Sequence, residues 1–389
     1  MKQFNNLRVA FVYDRVNKFG GAERVLLALH QIWPSAPLYT SVYDPAGAPW
    51  AKTFKVIPSF VNKLPLAKTN HEIYPWLMPL AFEQFNFDNY DVVISVTSAE
   101  AKGIITKPET LHLCYCLTPT RYLWSGYKHY LKNPRYGWFN PLVRLLMKPM
   151  LKQLQKWDKI AAQRPDDYFA ISKTVKTRIK KYYHRNSEII YPPVDVNKFK
   201  VQSSKFKVTV KNSKFSEEKG YFLVVSRLVS YKRIDIIVDA FNQLGLALKI
   251  IGEGTERKYL ESKARKNIEF LGQRLTDREL ISYYQNCSAL VFTAEEDLGL
   301  VSLEAQACGK PVIAYKMGGV SETVVNDKTG LLFNSQTVAG VIQAVKNFKP
   351  EKFKPKDCCQ QAEKFSQAIF IKKFKNFVEA HQKLTHSGG

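Results

Sequence analysis

The sequence predicts an α/β protein of two doubly wound parallel-sheet domains with a cleft between them. Three observations predict it. Strand-like apolar runs alternate with helix-like periodic segments from one end of the chain to the other, as in parallel sheets joined by crossover helices. The alternation is broken once, by a polar Lys- and Ser-rich stretch running to about residue 219, and then restarts. The chain has 389 residues of 45% hydrophobic composition, enough to bury more than one core.

In the first half, strands are expected at 7–13, 37–43, 91–96, 111–117 and 167–171. After the first of them, Gly20-Gly21-Ala22-Glu23 opens a helix in which Val25, Leu26, Leu29 and Ile32 keep helical spacing. Residues 186–195 read as a further strand, stopped by Pro192-Pro193. The second half gives strands at 221–226, 246–251, 268–271, 288–293 and 311–315, with helices at 232–243, 255–266, 276–286, 300–308 and 319–326. Near the end, Phe370, Phe374, Phe377 and Val378 recur on one helical face, and Ser387-Gly388-Gly389 reads as a frayed tail. The expected domains are therefore 1–200 and 215–365, followed by a helix over 366–386 that packs back on the first domain.

Charge is the unusual term of the composition: 58 Lys and Arg stand against 34 Asp and Glu, a net +24. The excess is local, since residues 121–185 hold 16 Lys and Arg against Asp158, Asp166 and Asp167, a net +13. Trp124, Tyr127, Tyr130, Tyr136, Trp138, Phe139 and Trp157 are interleaved with them. Basic residues mixed with aromatics suit nucleic acid, by phosphate contact and stacking. They equally suit an anionic bilayer, with rings at headgroup level and cations on phosphates, and a solvated basic face is the plain alternative. No nucleic-acid fold signature accompanies the charge, so the reading favours the membrane surface over nucleic acid. No apolar run approaches the length of a membrane span, and after Met1-Lys2 the chain enters its first strand without a signal peptide, which points to a cytoplasmic protein, soluble or held at the membrane surface. The six cysteines, at 114, 116, 287, 308, 358 and 359, fit neither a metal spacing nor a disulfide framework and read as reduced cytosolic thiols.

The most informative segment is 295–309, Glu-Glu-Asp-Leu-Gly-Leu-Val-Ser-Leu-Glu-Ala-Gln-Ala-Cys-Gly. Glu296 and Glu304 flank a short apolar turn that leads into a helix, whose first N–H groups form an anion site while the carboxylates accept hydrogen bonds from neutral hydroxyls. Phosphate plus polyol describes a nucleotide sugar. Capping charges on a helix start are the structural alternative. The strand-like runs 288–294 and 310–316 on either side place the acids at the carboxyl end of a parallel strand, where open α/β sheets bind ligands.

Other loops share that position. Gly20-Gly21 allows close backbone approach before the first helix, although the third glycine of a dinucleotide fingerprint is missing. Ser226–Arg233 brings Arg227 and Lys232 to a second helix start, where two cations suit the charge that grows on a departing diphosphate. Gly252, Glu253 and Gly254 end the next strand, with glycines that let a flat ring lie near the backbone, and Gln273-Arg274 follows the third. All leave the carboxyl ends of strands in one sheet and should line one face.

Together these residues resemble the retaining, nucleotide-sugar-dependent glycosyltransferases of family 4, which have the GT-B fold. The similarity covers nearly the whole chain and is strongest over 221–333, where Glu296 to Glu304 is the E-x7-E element and Gly309-Lys-Pro-Val-Ile313 its continuation. Gly20–Arg24, Asp167–Ser172 and Ile189–Asp195 are similar to the family's first domain. Among its members, bacterial mannosyltransferases of surface-polysaccharide assembly look closest.

By that resemblance, Arg227 and Lys232 bind the donor diphosphate, Glu304 the ribose hydroxyls and Glu296 the hydroxyls of the transferred sugar. Backbone N–H groups at Gly20–Gly21 and at Gly299, Leu300 and Val301 complete the phosphate cradle, with Gly252, Glu253 and Arg274 also on the donor side. The resemblance implies no cofactor and no obligatory metal, a GDP- or UDP-linked donor with mannose as the lead, and a lipid-linked or glycan acceptor at the inner membrane face. It also implies front-face attack in which the donor phosphate takes the acceptor's proton. The family's frequent histidine falls at Leu117, which cannot hydrogen-bond a sugar, so His112 and Arg121 become the acceptor-side candidates. Leu298 and Ser302 replace a common phenylalanine and proline. Two other readings stand beside this one: an epimerase or hydrolase on the same fold, and a non-catalytic GT-B protein that binds membrane or nucleic acid.

Overall fold

The structure, a computed structural model, describes residues 7–127, 140–199, 220–272 and 275–384, with the side chains of 140–147 and 382–384 left aside. Arg274, Tyr130, Tyr136, Trp138, Phe139, the stretch 200–219 and the 387–389 tail fall outside the described residues. The chain forms two units, Met1–Pro192 with Phe370–Gly389, and Pro193–Ile369.

Unit 1 is built on a seven-stranded sheet of β1 (Val9–Tyr13), β2 (Leu38–Thr40), β3 (Val56–Pro58), β4 (Val92–Thr97), β5 (Leu111–Cys116), β6 (Asp167–Ala170) and β7 (Glu188–Ile189), in the order β3-β2-β1-β4-β5-β6-β7. Every pair is parallel; β1 sets Phe11 opposite Leu38 on one side and Val9 opposite Val92 on the other. Strands covered on both faces are rich in apolar residues, and β1 and β4 are buried at every residue, with Ser95 and Thr97 the polar positions of β4. Phe11, Leu26, Ile94, Tyr115 and Phe169 form the centre of one core, joined by Phe370, Phe374 and Val378 from the helix Gln367–Leu384.

Unit 2 repeats the plan with six parallel strands: β8 (Tyr221–Val225), β9 (Leu248–Ile251), β10 (Ile268–Leu271), β11 (Cys287–Phe292), β12 (Val312–Tyr315) and β13 (Gly330–Phe333), ordered β10-β9-β8-β11-β12-β13. Its core gathers Val224, Ile237, Phe241, Ile250, Val291 and Ile313. The helix Asp277–Asn286 starts on a reciprocal cap, in which the Thr276 hydroxyl accepts from the Glu279 N–H and the Glu279 carboxylate accepts from the Thr276 N–H.

Both sheets are doubly wound, and each has one point where strand order reverses: between β1 and β4 in unit 1, and between β8 and β11 in unit 2. Several elements differ from the sequence reading. The strands β3 and β13 are additions, three and four residues long, too short for a period to show. The expected strand 186–195 contracts to β7, and the helix 319–326 to Val320–Thr323. The helix Asn140–Ala161 was not legible because Pro149 lies inside it, where proline ordinarily stops a helix.

Candidate functional site

The reversal point of unit 2 brings together the loops that follow β8, β9, β11 and β12. The loops after β8 and β9 are laced by backbone: the Leu228 N–H donates to the Glu253 carbonyl at 2.7 Å, and the Glu256 N–H to the Leu228 carbonyl at 3.0 Å. This contact explains the glycines of the second loop. A Cβ on Gly252, at φ 143°, would stand 1.8 Å from the Ser226 carbonyl oxygen, and one on Gly254 would stand 2.1 Å from that of Leu228. The sequence reading assigned these glycines to a ligand ring; in the structure they make room for the neighbouring loop. Glu253 is held by Arg257, whose Nη1 donates to it at 2.6 Å.

That lacing presents Arg227, which is exposed and donates from Nη2 to the Tyr231 hydroxyl at 2.7 Å. Lys232 closes the short 3-10 turn Ser230–Lys232 and is buried. Its ammonium forms an ion pair with the Glu296 carboxylate, which the loop after β11 delivers. Glu296 is in turn fixed by its backbone: its carbonyl accepts from the Gly319 N–H at 2.8 Å, and a Cβ on Gly318 would come within 2.2 Å of that carbonyl oxygen. The structure thus joins two sequence candidates, Lys232 and Glu296, across two strands that are adjacent in the sheet but far apart in sequence, with Arg227 in the same loop as Lys232.

Gly299, in left-handed backbone at φ 83°, precedes the helix Leu300–Ala307, so the amides of Gly299, Leu300 and Val301 stand at a helix N-terminus beside the same loop. Glu304 lies differently from Glu296. It is buried in that helix, and its Oε2 accepts from the hydroxyl of Tyr284 at 2.9 Å, whereas the Glu296 side chain keeps 23% of its exposure. Tyr284, within the expected helix 276–286, was not singled out in the sequence.

Unit 1 carries its own polar group at its reversal point. Asp14, just after β1, is buried, and its carboxylate accepts from the Thr97 hydroxyl at 2.8 Å, the Ser98 N–H at 2.7 Å and the Ala101 N–H at 3.0 Å, fixing the turn after β4. Glu100 in that turn accepts from the Tyr122 hydroxyl. Arg15 meets His71, Nη1 to Nε2, at 2.6 Å; burial first and then the Arg15 charge push His71 down to about 3, so the ring is neutral and accepts. Gly20 caps the helix Gly21–Ile32, and the Tyr13 hydroxyl donates to buried Glu23 at 2.7 Å below it.

The acceptor-side expectation for His112 is corrected. It is wholly buried near the start of β5, the end of the strand opposite to the ligand edge, with Nε2 2.9 Å from the Ser95 hydroxyl. Burial pushes it down to about 3, a neutral core histidine with no path to a sugar. Arg121 is exposed beyond β5, and Leu117 packs against the core there.

Burial, and then the nearby Asp14, push Glu100 up to about 7. A carboxyl raised in the folded state keeps its proton longer than in the unfolded chain, so stability falls as pH climbs from its ordinary value of 4.5 to about 7. Glu100→Gln cannot ionise. Its stability relative to wild type therefore rises across that window by up to about 1.4 kcal/mol per pH unit, as urea unfolding at several pH values will show. A pH-independent difference would contradict the placement.

Residues 206–365 match the family described as glycosyl transferases group 1. An uncharacterized glycosyltransferase of Methanocaldococcus jannaschii is 31% identical over 180 residues, 45% of this chain and 47% of that protein. A GDP-mannose-dependent alpha-(1-6)-phosphatidylinositol monomannoside mannosyltransferase of Mycobacterium tuberculosis is 31% identical over 176 residues, 41% of this chain and 45% of that protein. The chain thus spans about half the length of these relatives or less. Among solved structures, Anabaena HepE in complex with UDP and glucose superposes with a TM-score of 0.69 at 17% identity, covering 96% of this chain and 99% of that one. The fold is GT-B, two Rossmann-like units on parallel sheets.

Proposed function

We infer that this chain, of GT-B fold and matched over residues 206–365 by the glycosyl transferases group 1 family, is a retaining glycosyltransferase. It moves a hexose from a GDP- or UDP-linked donor to a lipid-linked or polysaccharide acceptor, as a peripheral protein on the cytoplasmic membrane face. The observation that carries this reading is the ion pair of Lys232 and Glu296 at the reversal point of the unit 2 sheet, with Arg227 in the same loop as Lys232 and a helix N-terminus beside them.

Each group has a task there. Arg227 and Lys232 neutralise the charge that develops on the departing diphosphate, in place of a metal. The amides of Gly299, Leu300 and Val301 cradle its oxygens. Glu296 accepts from the hydroxyls of the transferred sugar, and Glu304 from the ribose. Mannose is the lead sugar because one relative is named for GDP-mannose; UDP-glucose is the other donor to test, given UDP and glucose in a structural neighbour.

An anionic membrane surface as partner is supported by charge. Lys152, Lys156 and Lys159 on the helix Asn140–Ala161, and Lys173, Lys176, Lys180 and Lys181 on the helix Lys173–Tyr183, are all exposed. No described helix is long and apolar enough to cross a membrane.

The full chain, incubated without added metal with radiolabelled GDP-mannose or UDP-glucose and membrane lipids that carry polyprenyl-phosphate-linked sugars, is expected to move label into the lipid fraction. Label released only as free hexose would mean a hydrolase, and isomerised donor an epimerase. Either would overturn the proposal.

A further inference from the structure

Lys232 is followed by a residue in an uncommon conformation. Arg233 has φ 55° and ψ 39°, the left-handed region that a side chain with a Cβ avoids, and it is the residue from which the helix Ile234–Leu244 departs. A non-glycine residue stays there only when its surroundings over-determine it. What surrounds it is Thr293, the residue that follows β11. The Thr293 hydroxyl lies 3.0 Å from the Lys232 carbonyl and 3.1 Å from the Arg233 carbonyl, and donates its one proton between them. Thr293 is itself buried, and its own carbonyl accepts from Gln336 Nε2 at 2.8 Å. The hydroxyl therefore joins the end of β11 to the strained turn after β8, and it does so three residues before Glu296, the ion-pair partner of Lys232.

We propose that Thr293 is a positioning residue: its hydroxyl clamps the Lys232–Arg233 turn in left-handed backbone and so aims the Lys232 ammonium at the diphosphate of the donor. The inference rests on the donor role given to Lys232 above. It assigns to Thr293 no contact with the substrate. A valine in its place keeps the shape of the side chain and deletes the hydroxyl that holds both carbonyls, leaving the turn free to relax to the right-handed region and carry the Lys232 side chain with it.

The test is the affinity for GDP, UDP and inorganic pyrophosphate, measured by calorimetry on the full chain. Thr293→Val is expected to weaken the ligands that bind by about tenfold, the size of one well-placed hydrogen bond, and Thr293→Ser to return affinity to within about twofold. Two double variants separate positioning from general damage. In Lys232→Met, adding Thr293→Val should cost almost nothing more, because the clamp acts only through Lys232. In Arg233→Gly, the same change should cost less than about threefold, since glycine holds left-handed backbone unaided.

Unchanged affinity in Thr293→Val, or an equal loss in all three backgrounds, would overturn the clamp while leaving the donor site standing. If Lys232→Met itself binds like wild type, the donor role of Lys232 and the inference built on it fall together.

Discussion

Lys232→Met is expected to lower kcat/KM for sugar transfer by about 10²–10³-fold, the scale of removing one group aimed at charge that develops in the transition state. The methionine side chain fills nearly the same space, so the loss reports charge rather than packing. Lys232 is buried at the reversal point of the sheet and paired with Glu296, which lowers the screening that would weaken an exposed cation. Lys232→Arg keeps the charge but not the compact ammonium and should recover only part of the rate. Glu296→Gln, by contrast, keeps one acceptor for a sugar hydroxyl while removing the partner of Lys232, so it should affect turnover more than nucleotide affinity. Steady-state kinetics with the active donor measure all three. Equal kcat/KM in wild type and Lys232→Met would remove Lys232 from the chemistry.

The largest expected effect on stability lies in unit 1, away from the donor loops. Lys102 and Asp158 form an ion pair at 2.5 Å with side chains 1% and 0% exposed. The ammonium also donates to the Ala99 carbonyl, and the carboxylate accepts from the Thr120 hydroxyl at 2.9 Å and Trp124 Nε1 at 2.7 Å. The pair thus fastens the helix Asn140–Ala161 to the turns after β4 and β5. A buried ion pair offers little over a hydrophobic pair, yet breaking it strands a charge without water. Asp158→Ala should therefore destabilise the unit by about 3–5 kcal/mol. Lys102→Met with Asp158→Leu should cost less than either single change, since no charge is left behind. Urea unfolding followed by Trp124 and Trp157 fluorescence reads this directly. A double variant as unstable as the sum of the singles would contradict the desolvation argument.

How far the sequence could be read follows from which interactions are local. The strands β1 and β4 announced themselves because a strand covered on both faces is rich in apolar residues, as Val9–Tyr13 is at every position and Val92–Thr97 at all but Ser95 and Thr97. The loop positions of Arg227, Lys232 and Glu296 were legible too, since each follows a strand. The pairing of Lys232 with Glu296 was not. The ion pair depends on β11 lying beside β8, and nothing in the order of segments says that β9 and β10 turn to the other side. For the same reason Thr293 and Tyr284 carried no signal: each acts on a residue many positions away. His112 was misread for an opposite cause. It became a candidate because the resemblance expects a histidine where Leu117 stands, but its central strand buries both faces and the Ser95 hydroxyl satisfies Nε2. Gly252 was recognised as special, and only the structure shows that a neighbouring carbonyl, 1.8 Å from where its Cβ would stand, is the reason.

On the proposed reading, unit 2 holds a nucleoside diphosphate through Arg227, Lys232 and the first turn of the helix Leu300–Ala307. Calorimetric titration of the full chain with GDP and UDP, each beside its own nucleoside and without metal, tests it most directly. One diphosphate is expected to bind at least about a hundredfold more tightly than its nucleoside, a difference of about 2.7 kcal/mol. Equal binding of diphosphate and nucleoside, or no binding of either base, would contradict it.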